Sequence, residues 1–330
     1  MDSQTALADA PSGLPADDGA GEEHGRHAGT PVRRVWRHSW LNTSISFLLL
    51  AGLTLLTYPT AAAWVSQQNQ SNIVLDQTQA NEQLARDKVD GMLAEAEEYN
   101  EALVSGALLA GGAHVASGTG HAITDTVDAE RYWEILNAQP NGVLARIRIP
   151  AIRLDLPVYH GTSDATLLKG VGHLQGTSLP VGGEGTRSVL TGHRGLANAE
   201  MFTHLNRVQE GDTFTVEVLG QVYAYRVFET KVVKPEDTEK IRAVPDRDLM
   251  TLITCTPLGV NTHRILVTGE RITPTPETDL AASNARPDVP GFPWWAVGYV
   301  AGLGVIGLWQ WRSGYGPRRK TATAADAEHA

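Results

Sequence analysis

The hydrophobic residues of this chain are concentrated in two long charge-free stretches and in a series of short runs between them. The long stretches cover residues 45–65 and 292–311, and neither contains Asp, Glu, Lys or Arg. At a rise of about 1.5 Å per residue, each is long enough to cross a hydrocarbon core about 30 Å thick. The pattern therefore predicts two transmembrane helices that flank the rest of the chain.

Basic residues lie on the terminal side of both stretches, and tryptophans lie at their edges. Because Lys and Arg favour the cytoplasmic side and Trp collects at membrane interfaces, both termini are predicted to be cytoplasmic and the middle of the chain extracellular. The run Ala61-Ala62-Ala63 raises the alternative of a cleaved signal peptide, whose basic region would begin late and whose apolar core would be long. The prediction is therefore a two-pass protein of the cell membrane. The basic residues are Arg33, Arg34, Arg37, Arg312, Arg318, Arg319 and Lys320.

The segments outside the two stretches differ in composition. Residues 1–32 are small, polar and acidic, which predicts a disordered cytoplasmic tail, and residues 312–330 form the second tail. Residues 67–104 are rich in Gln, Ala, Glu and Leu with a narrow apolar stripe, which predicts a helical stalk, solvated or docked along one face. Residues 105–141 begin with a Gly-, Ala- and Ser-rich part and are interpreted as a linker or lid region, and residues 273–290 as a linker.

Between residues 142 and 272, short apolar or alternating runs rich in Val, Ile, Leu, Tyr and Thr predict β-strands. These runs do not alternate with long helices, and the two helical pieces among them, at 164–169 and 199–205, are short. Such a pattern favours a mainly β domain that forms a closed or nearly closed barrel. The predicted strands cover residues 143–149, 156–159, 188–191, 213–219, 222–233, 248–254 and 264–272.

Charge and composition narrow the chemistry. The formal net charge of −10 argues against a nucleic-acid partner, which would require a concentrated basic surface. The chain has one cysteine, Cys255, so it forms no internal disulfide. Its His and acidic residues lack the spacings of zinc sites, and no metal or cofactor is predicted. An unpaired thiol outside the cytoplasm is open to oxidation, which makes catalysis a natural reason to keep it.

Three side chains with catalytic chemistry lie at predicted strand edges. Cys255 ends one apolar run, His193 follows another, and Arg264 begins a third. A thiol, an imidazole and a guanidinium can supply a nucleophile, an acid–base group and an oxyanion stabiliser. A lone buried cysteine is more often a small core residue, so the alternative is a non-catalytic membrane-anchored binding module with Cys255 in its core.

The neighbours of these residues are weaker candidates. Thr254 and Thr256 flank Cys255 and could offer a hydroxyl or a backbone N–H to an oxyanion, although β-branched residues are expected in strands anyway. Arg194 is adjacent to His193 in the chain. Because adjacent residues of a strand face opposite sides, Arg194 is predicted to point away from the site as a surface residue.

The segments around the three catalytic candidates resemble the motifs of one protein family. Thr251-Leu252-Ile253-Thr254-Cys255 resembles the T-L-x-T-C motif of the sortases, and Thr191-Gly192-His193 and Asn261-Thr262-His263-Arg264 resemble their histidine and arginine motifs. The resemblance covers residues 142–272 and is fullest to class C, the pilin-polymerising sortases of Gram-positive bacteria. It implies an eight-stranded β-barrel and a cysteine transpeptidase in which Cys255, His193 and Arg264 are catalytic.

The same resemblance implies a substrate. A class C sortase cleaves an LPxTG-type sorting signal through a cysteine thioester and joins the acyl group to a lysine of the next pilin, and this class commonly carries a second membrane span near its C-terminus. The alternatives are a housekeeping sortase, which transfers the same acyl group to a cell-wall precursor, and a hydrolytic thiol protease. The expected partners are LPxTG-bearing pilins or surface proteins and the lipid bilayer.

One feature of class C is missing from the sequence. These enzymes usually cover the active site with a lid that carries an Asp-Pro-aromatic motif, and this chain contains no Asp-Pro dipeptide. His121 and Asp125 are lid candidates by position alone. A simple linker is the alternative interpretation of their segment.

Overall fold

The structure is a computed structural model that describes residues 36–104, 127–197, 199–283, 285, 287 and 290–315. The predicted tail 1–32 and the lid candidates His121 and Asp125 lie outside the described residues, as does most of the predicted tail 312–330. The statements below concern the described parts of the chain.

Eight strands form a closed barrel in the order β1-β2-β3-β4-β7-β8-β6-β5. Two neighbouring pairs, β2–β3 and β4–β7, are parallel, and the other pairs are antiparallel. The prediction of a mainly β, closed eight-stranded barrel is confirmed. The sequence pattern does not predict β3, because three residues are too few to show an alternation. The strands are β1 Val143–Ile149, β2 Leu154–His160, β3 Val171–His173, β4 Arg187–Thr191, β5 Thr213–Val218, β6 Gln221–Val233, β7 Leu249–Thr256 and β8 His263–Arg271.

Alternate residues of the strands fill the barrel. Leu252 of β7 and Val267 of β8 are fully buried in this core, and truncating a buried leucine to alanine costs about 2–5 kcal/mol. Phe214 stacks on Tyr225 with ring centroids 5.5 Å apart. A Cβ on Gly269 would lie 2.6 Å from the Phe214 ring, so only glycine leaves room for that side chain. Because Leu252 and Val267 point inward, their chain neighbours in β7 and β8 face the outside of the barrel.

The first helix, α1 (Trp40–Glu82), runs without a break through the predicted span and the first part of the predicted stalk. Its later turns dock on the barrel, where Val74 is buried. The Gln70 side-chain amide lies 3.4 Å from both the Lys169 carbonyl and the Met201 sulfur. The stalk is therefore packed against the domain along one face.

The second helix, α2 (Arg86–Val104), adds side chains to the core of the domain, including Tyr99 and Leu103. Its Asn100 amide donates to the Leu179 carbonyl (3.0 Å) and accepts from the Leu179 N–H (2.7 Å), which replaces a missing backbone partner. The remaining helices are α3 Val127–Glu134, α4 Asp164–Leu167, α5 Glu277–Ser283 and α6 Trp294–Ser313.

Among the described residues, α1 is the one helix long and apolar enough, by length and composition, to cross a membrane. The second predicted span, 292–311, coincides with α6, which packs against the first half of α1. Ser46 donates to the Gln310 side chain (2.8 Å), and the hydroxyls of Thr54 and Tyr299 lie 3.0 Å apart. The second span stays a prediction.

The predicted linker 273–290 contains a helix, α5, and part of it is held by the barrel. The buried Arg146 forms a bidentate pair with Asp155 (2.8 and 2.6 Å). The same guanidinium donates to the carbonyls of Ser283 (2.9 Å) and Ala285 (3.2 Å). The Pro- and Thr-rich composition does not reveal this docking, because the acceptors are backbone carbonyls that any sequence supplies.

Candidate active site

The three catalytic candidates lie in one row across three neighbouring strands. Strand β4 runs parallel to β7 with Thr191 opposite Ile253, and the Gly192 N–H donates to the Ile253 carbonyl (3.1 Å). His193 follows Thr191 by two residues, just beyond the end of β4, and Cys255 follows Ile253 by two residues. His193 therefore lies at the level of Cys255. On the other side of β7, Cys255 is the direct cross-strand partner of Arg264 in β8. The cysteine lies between the histidine and the arginine.

The row faces the outside of the barrel. Leu252 and Thr254 are buried, whereas Ile253 and Cys255 are partly exposed, so the cysteine lies on the outer face of β7. His193 and Arg264 are also partly exposed. In the described part of the chain, the thiol can therefore be reached from solvent without opening the barrel.

The environment of His193 favours the neutral imidazole. Burial lowers the pKa of His193, and the negative charge of Asp164 raises it in part. Asp164 begins α4, whose N-terminus is capped by the Ser163 hydroxyl. The sequence pattern predicts a helical piece here but gives Asp164 no role, because the order of residues in the chain does not show that α4 lies near the end of β4.

Arg264 is held at the start of β8 by the loop that precedes it. Its Nη1 donates to the carbonyls of Asn261 (2.9 Å) and His263 (3.1 Å). Asn261 has a left-handed φ of 58°, a conformation that asparagine tolerates better than most residues. Within the described residues, Nε and Nη2 make no hydrogen bond, so an edge of the guanidinium remains for a substrate carbonyl or its oxyanion.

The two threonines beside Cys255 make contacts that the sequence did not predict. Thr254 is buried, and its hydroxyl donates to the Gly192 carbonyl (2.8 Å). The Thr256 hydroxyl accepts from Arg194 Nη1 (2.7 Å) and keeps its own proton. Of the two, Thr256 is thus the hydroxyl that could still donate to an oxyanion, and that role stays a prediction.

Arg194 is not a free surface residue. It is partly buried, and its Nε donates to the Thr203 carbonyl (3.2 Å) while Nη2 donates to the Asn206 side chain (3.2 Å). Together with the Thr256 contact, these bonds join three segments of the chain. The prediction of a surface arginine overlooked the return of residues 203–206 to the histidine segment.

Among the described residues, no group of three or more His, Cys, Asp or Glu side chains is arranged to hold a metal ion. A second set of titratable groups lies away from the row, at the ends of β2 and β3. The Tyr132 ring stacks on His173 and meets His160 edge to face, with the Tyr132 hydroxyl 2.9 Å from His173 Nδ1. Burial lowers the pKa of His173 to about 4, so this imidazole is neutral at neutral pH.

Comparison with known proteins points to one family. A sequence profile described as the sortase domain matches residues 147–272. Sortase D of Bacillus subtilis (strain 168) is 30% identical over 161 residues, which are 48% of this chain and 76% of that protein. The match ends where β8 ends, so it contains all three residues of the row.

Solved structures agree with the sequence matches. Sortase C1 of Streptococcus agalactiae is 35% identical, with a TM-score of 0.55, and the match covers 62% of this chain and all of that one. Sortase C of Streptococcus pneumoniae is 33% identical, with a TM-score of 0.54 and coverage of 61% and 96%. Sortase A of Corynebacterium diphtheriae is 38% identical, with a TM-score of 0.54 and coverage of 64% and 95%.

Proposed function

Because the chain belongs to the sortase family, whose members are cysteine transpeptidases, we propose that it cleaves an LPxTG-type sorting signal and joins the acyl group to a pilin lysine. The observation that carries this proposal is the position of Cys255 between His193 and Arg264 on the open face of the barrel. The three side chains supply the groups that acyl transfer requires.

In the first half of the reaction, the Cys255 thiolate attacks the carbonyl carbon of the signal threonine. The guanidinium of Arg264 stabilises the negative charge that develops on the carbonyl oxygen. The C–N bond to glycine then breaks, and the His193 imidazolium gives its proton to the leaving amine. The products are a thioester on Cys255, a neutral imidazole and a released peptide.

In the second half, the lysine amine of the next subunit attacks the thioester carbonyl. The neutral His193 takes the proton of this amine, and the C–S bond breaks to return the thiolate. An isopeptide bond has formed, and the enzyme again holds a thiolate and an imidazolium. No oxidant, reductant or further co-reactant is required.

The starting form is rare. A free thiol and a free imidazole, with reference pKa values of about 8.5 and 6.5, are both charged in only about 1% of pairs at a pH between these values, which corresponds to about 2.7 kcal/mol. The lowered pKa of His193 makes the imidazolium rarer still. Transition-state stabilisation by Arg264 can offset this cost.

Two observations support the pilin substrate. Two sortases C are among the similar structures, and the Streptococcus pneumoniae structure is described as giving insight into pilin substrate specificity. The apolar helix α6 is also in keeping with the second span that pilin sortases commonly carry. The lack of an Asp-Pro dipeptide in this chain favours a second candidate, a housekeeping sortase whose acceptor is a cell-wall precursor amine.

The proposed location is the cell membrane. In this arrangement α1 and α6 cross the bilayer side by side, both termini are cytoplasmic, and the barrel is extracellular. The hydrogen bonds between the two helices support the pairing, because polar side chains within a bilayer require partners.

The test uses the full chain in membrane vesicles, mixed with a pilin that carries an LPxTG-type signal, with Cys255→Ala as control. Denaturing gels and mass spectrometry follow the thioester and any covalent ladder. A ladder that depends on Cys255 supports pilin polymerisation. A thioester that resolves only onto a cell-wall peptide amine would favour the housekeeping function, and one that resolves only to hydrolysed signal would favour a protease. If wild type and Cys255→Ala behave alike, the catalytic assignment is wrong.

A further inference from the structure

Two side-chain hydrogen bonds flank the catalytic histidine and cysteine. On one side, the Thr254 hydroxyl donates to the Gly192 carbonyl (2.8 Å). On the other side, Arg194 Nη1 donates to the Thr256 hydroxyl (2.7 Å). The first bond joins the residues that precede His193 and Cys255, and the second joins the residues that follow them. His193 and Cys255 therefore lie between two hydrogen bonds that connect their chain segments.

The second of these bonds lies where backbone pairing has ended. The last described backbone bond between the two segments is that from Gly192 to Ile253 (3.1 Å), one residue before His193. Beyond the histidine the chain bends, and Gly195 takes a left-handed φ of 73°. Backbone hydrogen bonds thus hold the chain before His193 against β7 but not the chain after it. After His193, the hydrogen bond from the Arg194 guanidinium connects the segment to β7.

The other two donors of Arg194 bind the loop that returns to the histidine segment. Nε donates to the Thr203 carbonyl and Nη2 to the Asn206 side chain, both at 3.2 Å. The same loop holds the backbone of the segment, since the Phe202 N–H donates to the His193 carbonyl (3.0 Å). All three acceptors of Arg194 are uncharged. Their arrangement in different directions requires the planar fork of arginine, and a lysine ammonium could not reach them all.

We propose that Arg194 is a positioning residue for the transpeptidase reaction, whose fork holds His193 at a fixed distance from Cys255. It acts through the Thr256 hydroxyl on one side and the 203–206 loop on the other, and touches neither the substrate nor the reacting atoms. This inference rests on the proposed assignment of His193 and Cys255 as the acid–base and nucleophile. Proton transfer requires close and fixed geometry, and a displacement of about 1 Å can cost about 100-fold in rate.

The test compares Arg194→Met, Arg194→Lys, Thr256→Val and the double variant Arg194→Met/Thr256→Val in the full chain, with an LPxTG peptide and a lysine-containing acceptor. Arg207→Met is the matched control, because Arg207 is an exposed arginine nearby whose side chain makes no hydrogen bond with the described residues. The readouts are kcat, KM and the unfolding temperature Tm.

We expect Arg194→Met to lower kcat about 10- to 100-fold with KM unchanged, because the residue does not contact the peptide. Thr256→Val removes the same bond with almost no change in volume and should lower kcat alone. In the double variant the two losses should not multiply, since both single variants delete the same Arg194–Thr256 bond. Arg194→Lys should recover part of the rate, and Arg207→Met should match wild type.

The failures are distinguishable. If wild type forms no thioester, the proposed function is wrong. If wild type is active and Arg194→Met and Thr256→Val keep its kcat, the positioning role is wrong. The positioning role is also wrong if the losses of kcat multiply in the double variant. It is wrong as well if both Arg194→Met and Thr256→Val lower Tm strongly whenever they lower kcat.

Discussion

Hydrogen bonds of the Tyr132 hydroxyl connect α3 to the barrel, and removing this hydroxyl should lower the free energy of unfolding. It accepts from the Gly161 N–H (2.9 Å) and lies 2.9 Å from His173 Nδ1. His173 Nε2 faces the Ser178 carbonyl (2.9 Å), which can only accept, so Nε2 carries the proton and Nδ1 accepts from the tyrosine. All of these groups are buried. Burial also raises the pKa of Tyr132, so the hydroxyl keeps its proton.

In Tyr132→Phe, one buried donor and one buried acceptor lose their partner at the same time. Each unsatisfied buried group costs about 1–3 kcal/mol, so the variant should lose about 2–6 kcal/mol of unfolding free energy. In a domain of this size, about 1 kcal/mol lowers Tm by about 2–4 °C. Because burial lowers the pKa of His173 to about 4, its imidazole is neutral in the native state at pH 6 and at pH 8. The loss should therefore be the same at both.

Thermal unfolding of the full chain in detergent measures this loss, and Tyr223→Phe is its control. The Tyr223 hydroxyl makes no hydrogen bond with the described residues, and phenylalanine keeps the ring that lies 4.8 Å from the Arg271 guanidinium. The control should stay within about 0.5 kcal/mol of wild type. A similarly small change in Tyr132→Phe would refute the reasoning, since it would mean that the two buried groups do not depend on the hydroxyl.

Three further predictions concern the site and its surroundings. The carboxylate of Asp164 raises the pKa of His193, so with His193 in its proposed acid–base role Asp164→Asn should lower this pKa further, shift the acid limb of the kcat/KM profile to lower pH and reduce the maximal rate. An acid limb that stays in place or moves up contradicts this. A Cβ on Gly195 would lie 2.6 Å from Leu258 at a left-handed φ, so Gly195→Ala should cost about 1–3 kcal/mol and lower kcat. Gly176 has the same kind of φ but open space around it. The control Gly176→Ala should therefore lower Tm less and keep kcat. Arg146→Met should cost about 3–5 kcal/mol in denaturant unfolding and expose α5 to proteolysis, because the largely buried Glu217 would lose its ion-pair partner and Asp155 would keep only Arg148. An unchanged protease pattern would show that α5 is held by other contacts.

The sequence predicts the barrel well where a strand is long enough to show its period. In β7 the apolar run predicts the strand and the motif at its end identifies Cys255, and burial alternates from the buried Leu252 to the partly exposed Cys255. The predictions for His193 and Arg264 rested on the same two properties, a strand edge and a family motif. The structure adds the pairing order, which places all three residues side by side and which no local pattern contains.

What the sequence could not predict depends on partners that are distant in the chain. The Arg194 fork binds residues 203–206 and β7, and nothing next to Arg194 indicates those acceptors. The docking of the Ser283 and Ala285 carbonyls on Arg146 is hidden for the same reason. The continuity of α1 through the predicted span into the predicted stalk is not visible either, because the composition changes at residue 66 while the helical backbone continues.

The unbroken α1 fixes the distance between the proposed bilayer surface and the face of the barrel that carries His193, Cys255 and Arg264. From residue 65, where the proposed span ends, to Gln70 the helix rises about 7.5 Å, close to the thickness of one headgroup layer. Gln70 contacts Met201, and the next residue, Phe202, donates to the His193 carbonyl. With the proposed topology, the reacting centre is thus held just above the lipid surface at a height that the protein cannot easily vary. With that topology and the proposed function, a substrate anchored in the same membrane would be selected by the number of residues between its scissile bond and its own anchor.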